Sequence, residues 1–599
     1  MAGFLVAWTP DGTLPEAASW AQAERIALRG GAAASRHMLA PCGVLTWHRH
    51  SGEFPYSGKV FESGRKHVAW VGQCVDDAGE ASQQAIQILA QDVWSDVAAA
   101  HCNGPFCAVV IGAEPFSLRV VTDRYRHYPV YLYKGAGVAV ASTDMRCLLP
   151  FMPRRALNFA AVDMLLRSGE LIDRDTLLEG VELLPPGTIF SVDTNGGGAL
   201  QTSERRYWAM RHDGAAAGTL SRTADELAQR LTVSVRRLEA VSPRLGITLS
   251  GGLDSRIILD LCAHPERVPS FTWGLPGCRD IACASRYAQV VGSPHTVRHW
   301  SPPEFPPLWP TGVDLTAGSF GVESMHMLPF IPLLASHCDV VLNGLAGDAI
   351  LGGNFMKYDW LGQNDARKLG QAIWRWRVSA DEDRQVDHLR VPGAPVAAGQ
   401  RWVDSIALRE GARPIERVND WLYENRVFRN TNSGTMLLRS AVESHSPFFD
   451  NDFIDAVTAV RQEHKFKHRL YLEVMRRAAP RAASVTWQRT NIPPAWGFQA
   501  NVLAMGVHRV VGKLASRLGL EAFRDLKVAD PAGWLRTDWQ SAAEDMVLGT
   551  RTQERGVWNP QAAQNLWQSH MRGGNHTRTL GAMIAVELFA RSVLDEDLV

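Results

Sequence analysis

Along the first 150 residues, short apolar runs are broken by Gly, Pro and Asp. The run FCAVVIGAEPFSLRVVTD (106–123) is one such segment, and VYLYKGAGVAVAST (130–143) reads as strand, glycine-containing turn, strand. An Ala-rich stretch at 82–99 predicts a helix. A Pro-Pro-Gly turn at 185–187 leads into a further strand that ends near Arg206-Tyr207-Trp208. This is an antiparallel, β-rich domain with a helix or two. The small, flexible stretch HDGAAAGTL (212–220) predicts a linker, giving domains over 1–210 and 221–599.

The period then changes. Thr223 and Glu226 have the spacing of a capping box, and Leu227, Leu231, Val235 and Leu238 form one helical stripe. A strand is expected at 245–249, a Gly-rich loop after it, a helix over 253–263, a strand at 270–273 and a helix over 281–291. Residues 339–342 read as another buried strand entering a Gly-rich turn. Strands alternating with helices imply a parallel sheet covered on both faces. From about residue 365 the pattern is mainly helical.

Composition narrows the function classes. A chain of 599 residues exceeds one hydrophobic core, which agrees with two domains. Lys plus Arg equals Asp plus Glu at 62 each, so no net field draws the protein to nucleic acid or a membrane surface. The nine cysteines include no C-x-x-C pair, which argues against a disulfide scaffold and a zinc site and for reduced thiols in a cytoplasmic protein. The N-terminal MAGFLVAWTPDG has neither the basic region nor the apolar length of a signal peptide, and no run approaches a membrane span. His48 with His50, or His295 with His299, could start a metal site, but neither pair has a third ligand at recognisable spacing.

The chemistry points to Ser250-Gly251-Gly252-Leu253-Asp254-Ser255-Arg256, between a buried strand and a helix start. Adjacent glycines let backbone N–H groups approach a phosphate chain, and a helix N-terminus favours an anion. Ser250 and Ser255 can donate hydroxyl hydrogen bonds. Asp254 has a role beside phosphate only through a bridging Mg²⁺. With no Gly-Lys-Ser/Thr, the loop is not that of γ-phosphate transfer.

SGGLDSR resembles the pyrophosphatase loop of the asparagine synthetase B family, which forms AMP and pyrophosphate from ATP. SFTWGLPG (270–277) with Asp280 is similar to the family's second strand and acidic helix start. NGLAGD (343–348) with LGG (351–353) resembles its S-G-E-G-S-D-E-L-F-G-G, and VE (442–443) with SPFFD (446–450) its V-E-x-R-x-P-F-L-D. Asn103-Gly104-Pro105-Phe106, Asp123-Arg124, the segment YPVY (128–131) and LPPG (184–187) resemble its glutamine amidotransferase domain.

The resemblance implies an α+β, Ntn-hydrolase-like sandwich of antiparallel sheets with helices, followed by an α/β pyrophosphatase domain with a helical C-terminal part. It implies that Ser250, Gly251, Gly252 and Ser255 cradle pyrophosphate and that Asp254 and Asp348 hold Mg²⁺. It also implies that Thr248, Leu249, Trp273, Gly274, Asn343 and Gly344 border the adenosine of ATP. Two carboxylates at successive parallel-strand ends would converge where nucleotide crevices form.

The departures are as informative. Glutamine-using members begin Met-Cys; here position 2 is Ala2, and the family's N-G-E stretch falls on Val71-Gly72-Gln73. No glutaminase is expected. The glutamate of S-G-E-G is Leu345, and the lysine after W-R-Q falls near Thr490. Arg489, Lys465 and Lys467 are candidate cations, and Glu443 and Glu323 candidate bases. β-Lactam synthetases and lasso-peptide cyclases keep the ATP loop and discard the glutaminase, and both close an amide within one molecule. Chain length and the Trp/Arg-rich 374–377 favour the larger substrate. The expected activity is lasso-peptide macrolactam formation on a small peptide, with a leader-peptide protease and a precursor-recognition protein as partners. The alternatives are a β-lactam synthetase-like or ammonia/amine-dependent asparagine synthetase-like ligase acting on a small carboxylate, and a nucleotide-binding scaffold without turnover.

Overall fold

A computed structural model of the chain describes residues 2–29, 33–48, 54–91, 96–113, 115–135, 137–195, 199–212, 214, 218–353, 357–392, 397–411, 413–518 and 528–595. The β-rich half forms two six-stranded sheets whose pairings are all antiparallel. In the first, Gly3–Trp8 lies between Cys42–His48 and Ala139–Ser142; in the second, Phe106–Gly112 lies between Lys66–Gly72 and Ser117–Thr122. The sheets pack face to face through alternate residues such as Phe4, Val6, Val109, Ile111, Val120 and Phe190. Their outer faces are covered by helices, Ala17–Ala27 on the first and Ser82–Leu89 on the second. The expected helix over 82–99 is thus two pieces, Ser82–Leu89 and Asp96–His101. The 212–220 linker and His50 fall partly or wholly outside the described residues.

The second half carries a five-stranded parallel sheet in the order His295–His299, Ser270–Gly274, Leu245–Thr248, Val340–Leu342, Glu443–His445. Two of these strands depart from expectation. Residues 295–299 are extended, so His295 and His299 are not one turn apart on a helix, and His295 Nδ1 lies 2.9 Å from Ser270 Oγ. Glu443–His445 breaks the helical C-terminal pattern; its three polar residues are all buried, which no apolar run announces. The helix before the loop runs Leu220–Glu239, starting ahead of the predicted capping box. Its cap is Thr219, whose hydroxyl oxygen accepts from Arg222 N at 3.3 Å, while Thr223 is buried inside the helix. Among the described residues no helix is long and apolar enough to cross a membrane.

The buried polar strand is satisfied by the β-rich half. Tyr128 Oη donates to both Glu443 carboxylate oxygens, at 2.8 and 2.9 Å. His445 Nε2 lies 3.0 Å from Gln73 Oε1, and Arg439 donates to the His127 carbonyl at 2.8 Å. Beyond the strand, Asn103 donates to Asp450 at 2.7 Å and Arg124 pairs with Asp455 at 2.9 Å. An apolar core also crosses between the halves, joining Leu5, Leu45 and Leu165 to Val313, Leu580 and Ile584.

Glu443 is 1% exposed. Removing the Tyr128 hydroxyl takes from this buried carboxylate the one donor shared by both its oxygens, at a cost of about 1–3 kcal/mol. Tyr128→Phe is therefore expected to lower the urea midpoint with an unchanged slope, measured by tryptophan fluorescence.

Candidate active site

The strand Leu245–Thr248 delivers its chain to the carboxyl edge of the sheet, and the helix Asp254–Leu261 leaves from it. The intervening loop is braced by its own serines. Ser250 N donates to Ser255 Oγ at 2.9 Å, the two hydroxyls lie 3.1 Å apart, and Gly252 N donates to Ser250 Oγ at 3.3 Å. Gly251 N donates to Asp280 Oδ1 at 3.0 Å, so the acidic helix start holds the loop rather than facing away from it. Arg256, fully buried, ties the loop carbonyls of Gly251 and Gly252 to those of Val485 and Thr486.

Asp254 opens its helix and meets Asp348, which lies in the helix Gly347–Gly352 beyond the strand Val340–Leu342. The Asp348 backbone N–H donates to the Asp254 carboxylate, and burial followed by the Asp348 charge pushes the Asp254 carboxyl up to about 8. The close approach depends on Gly344, where a Cβ would lie 2.5 Å from Asp254 Cβ and 3.0 Å from Ser255 N. Two further groups touch the pair: Tyr471 Oη donates to Asp254 Oδ1, and His468 Nε2 meets Asp348 Oδ1. Arg489, stacked on Trp487 at 5.3 Å, donates to Asp348 Oδ2 at 3.3 Å.

Beside this pair lies a cavity of about 490 Å³. Of the predicted residues, Thr248, Leu249, Ser250, Asp254, Ser255, Trp273, Asn343 and Gly344 line it, and Gly251, Gly252, Gly274 and Asp348 stand outside its lining. One wall is aromatic: Trp273 stacks on Phe330 at 4.9 Å, and His326 is in the lining. The opposite lip, Asn430, Thr431, Gly434 and Thr435, was not foreseen; it belongs to a π-helical turn, Tyr423–Thr431, and the helix after it. His468 and Tyr471 were also missed. Their spacing at the start of the helix Arg469–Ala478 does not set them apart from structural residues.

The candidate bases lie elsewhere. Glu443 faces the β-rich half. Glu323 is buried against Gly321 and Gly581 and pushed up to about 7 by burial. Lys465 is buried beside Asp420, its ammonium lowered to about 7 by desolvation, and Lys467 lies over Phe466 at 5.6 Å. None of these four lines the cavity. Among the described residues no group of three or more His, Cys, Asp or Glu side chains is gathered around a metal position. A two-carboxylate site suits Mg²⁺, which is commonly held by one or two carboxylates together with substrate phosphates.

The family model described as asparagine synthase matches residues 226–591, more than half of the chain. The protein belongs to the asparagine synthase family. No curated protein matches it. Among solved structures it is similar to glutamine phosphoribosylpyrophosphate amidotransferase from B. subtilis complexed with ADP and GMP. That likeness has 10% identity and a TM-score of 0.22, over 49% of this chain and 65% of that one, just under two thirds of its length. A structure titled as the allosteric regulatory enzyme of purine biosynthesis is similar at 10% identity and a TM-score of 0.23, over 63% of this chain and 79% of that one.

The asparagine synthase signature is altered at its centre. Leu345 takes the place of the glutamate and lines the cavity, its N–H held by Asn343 Oδ1 at 2.8 Å and its carbonyl by Ser446 Oγ at 2.7 Å. The turn is thus built as firmly as if it carried a functional side chain, yet it presents only hydrocarbon.

Asp254→Asn and Asp348→Asn each remove one charge from the carboxylate pair. Either is expected to lower ATP–pyrophosphate exchange by roughly 10²–10³-fold, several kcal/mol of lost charge compensation. The circular dichroism spectrum should be unchanged; exchange at the parent rate in both would refute the assignment.

Proposed function

We propose that the chain is an ATP-dependent, AMP-forming carbon–nitrogen ligase that activates a carboxylate and passes it to an amine of the same substrate, as lasso-peptide macrolactam cyclases do. The observation that carries this reading is the cavity between the Ser-Gly-Gly loop and an apolar Leu345, with the Asp254–Asp348 pair at its edge.

In this reading the loop's N–H groups and serines receive the ATP phosphates, and the Trp273–Phe330 wall receives the adenine. Asp254 and Asp348 would hold Mg²⁺, which neutralises phosphate charge when bound. The substrate carboxylate attacks the α-phosphorus; the bond to the bridging oxygen breaks and pyrophosphate leaves. The amine nitrogen then attacks the acyl carbon, the bond to AMP breaks, and the nitrogen sheds a proton as the amide forms. Leu345 can accept no proton. A tethered amine offsets this through effective molarity, on the order of 10⁵ M or more in well-oriented cases. The neutral amide and hydroxyl groups of Asn430, Thr431 and Thr435 suit a peptide backbone on the acceptor side.

On the same reading residues 221–599 carry the chemistry and residues 1–210 are structural. Ala2 is fully buried among the sheet-core residues, and the Gln73 side chain is engaged by His445 and by Glu80 at 2.9 Å. The protein would act in the cytoplasm with a leader-peptide protease and a precursor-recognition protein, and not on nucleic acid.

The test is mass spectrometry of a linear core peptide incubated with enzyme, ATP, Mg²⁺ and the partner protease. A product lighter by one water, formed only with ATP, is expected. Equal turnover of free aspartate with ammonium would return the enzyme to asparagine-type synthesis, and ATP binding without AMP release would make it a scaffold. In the same assays glutamine should release no glutamate, and Ala2→Cys should not change that.

A further inference from the structure

The two cleft carboxylates come from the sheet edge, but two of the side chains that touch them, His468 and Tyr471, come from far along the chain, at the start of the helix Arg469–Ala478. Its entry is unusual. Lys467 and His468 both have positive φ, 53° and 67°, in succession, and neither is a glycine. An L-residue adopts this conformation only when its surroundings impose it, and such residues concentrate at functional sites. The consequence here is specific: the double turn brings the almost fully buried His468 ring, 4% exposed, onto Asp348. Three residues later, inside the helix, Tyr471 reaches Asp254.

A second observation concerns the other side of the contact. Gly352 ends the Asp348 helix, and a Cβ there would lie 2.8 Å from His468 Cδ2, 2.9 Å from its Nε2 and 2.8 Å from Asp348 Oδ1. The imidazole reaches the carboxylate only because position 352 has no side chain. Arg489 closes the arrangement, its guanidinium 3.2 Å from His468 Nε2 and 3.3 Å from Asp348 Oδ2.

We infer that His468 and Tyr471 are positioning residues: one helix entrance fixes both carboxylates, and so sets the geometry in which a divalent cation with ATP is received. His468 acts through Asp348 and Tyr471 through Asp254. The inference rests on the reading of that pair as the cation site, but not on which carboxylate or amine is joined.

The test uses the full-length protein and Mn²⁺ as a probe, followed by electron paramagnetic resonance with a non-hydrolysable ATP analogue. Tyr471→Phe deletes one hydroxyl, and Gly352→Ala crowds both the imidazole and Asp348 Oδ1 without removing a polar group. Each is expected to weaken Mn²⁺–nucleotide binding at least tenfold, with circular dichroism and melting temperature close to the parent's. In ATP–pyrophosphate exchange the half-saturating Mg²⁺ should rise more than the maximal rate falls. His468→Ala should do the same and His468→Gln recover part of the loss, since an amide can again reach Asp348. Parent-like Mn²⁺ binding in both Tyr471→Phe and Gly352→Ala would overturn the inference. Weakened Mn²⁺ binding in a protein that exchanges no pyrophosphate with any carboxylate would uphold it while removing the ligase reading.

Discussion

Two half-buried carboxylates that face one another are the constraint around which the second half of this protein is arranged. Desolvation, and after it the repulsion of the Asp348 charge, raises the Asp254 carboxyl to about 8. The fold tolerates the pair because everything near it is a donor or a gap: the Asp348 N–H, Tyr471, His468, Arg489, and glycines where a Cβ would intrude. The parallel sheet makes the encounter possible by ending two adjacent strands, Leu245–Thr248 and Val340–Leu342, at the same edge.

What could be read from the residues alone follows the range of the interactions. The Ser-Gly-Gly loop, its strand and its helix are local, and each was placed within a residue or two. Thr248, Leu249, Asn343 and Gly344 were named through the family resemblance, and with Ser250 they line the cavity at two neighbouring strand ends. His468 and Tyr471 were illegible for the opposite reason. Their role depends on a left-handed pair of ordinary residues and on a glycine more than a hundred positions away, and neither leaves a pattern in the sequence.

The short strand Glu443–His445 was missed through a different failure. Hydrophobic patterning finds strands that bury apolar side chains, whereas this one buries a carboxylate, a hydroxyl and an imidazole. Such a strand is stable only where partners are supplied, and Tyr128 and Gln73 supply them from the other half of the chain. The same geometry explains why Glu443 made a poor candidate for proton transfer despite its place in a signature motif: both its oxygens face the Tyr128 hydroxyl at the interface, and it does not line the cavity.

That dependence bears on what counts as a unit in this molecule. The stretch matched by the family model begins at residue 226, yet the outermost strand of its sheet is finished by a phenol and an amide that lie before it. Cut at the linker, the segment would expose a carboxylate, a guanidinium and an apolar face built to meet the β-rich half. Residues 226–591 match the family model, and the contacts that complete their sheet reach beyond that range.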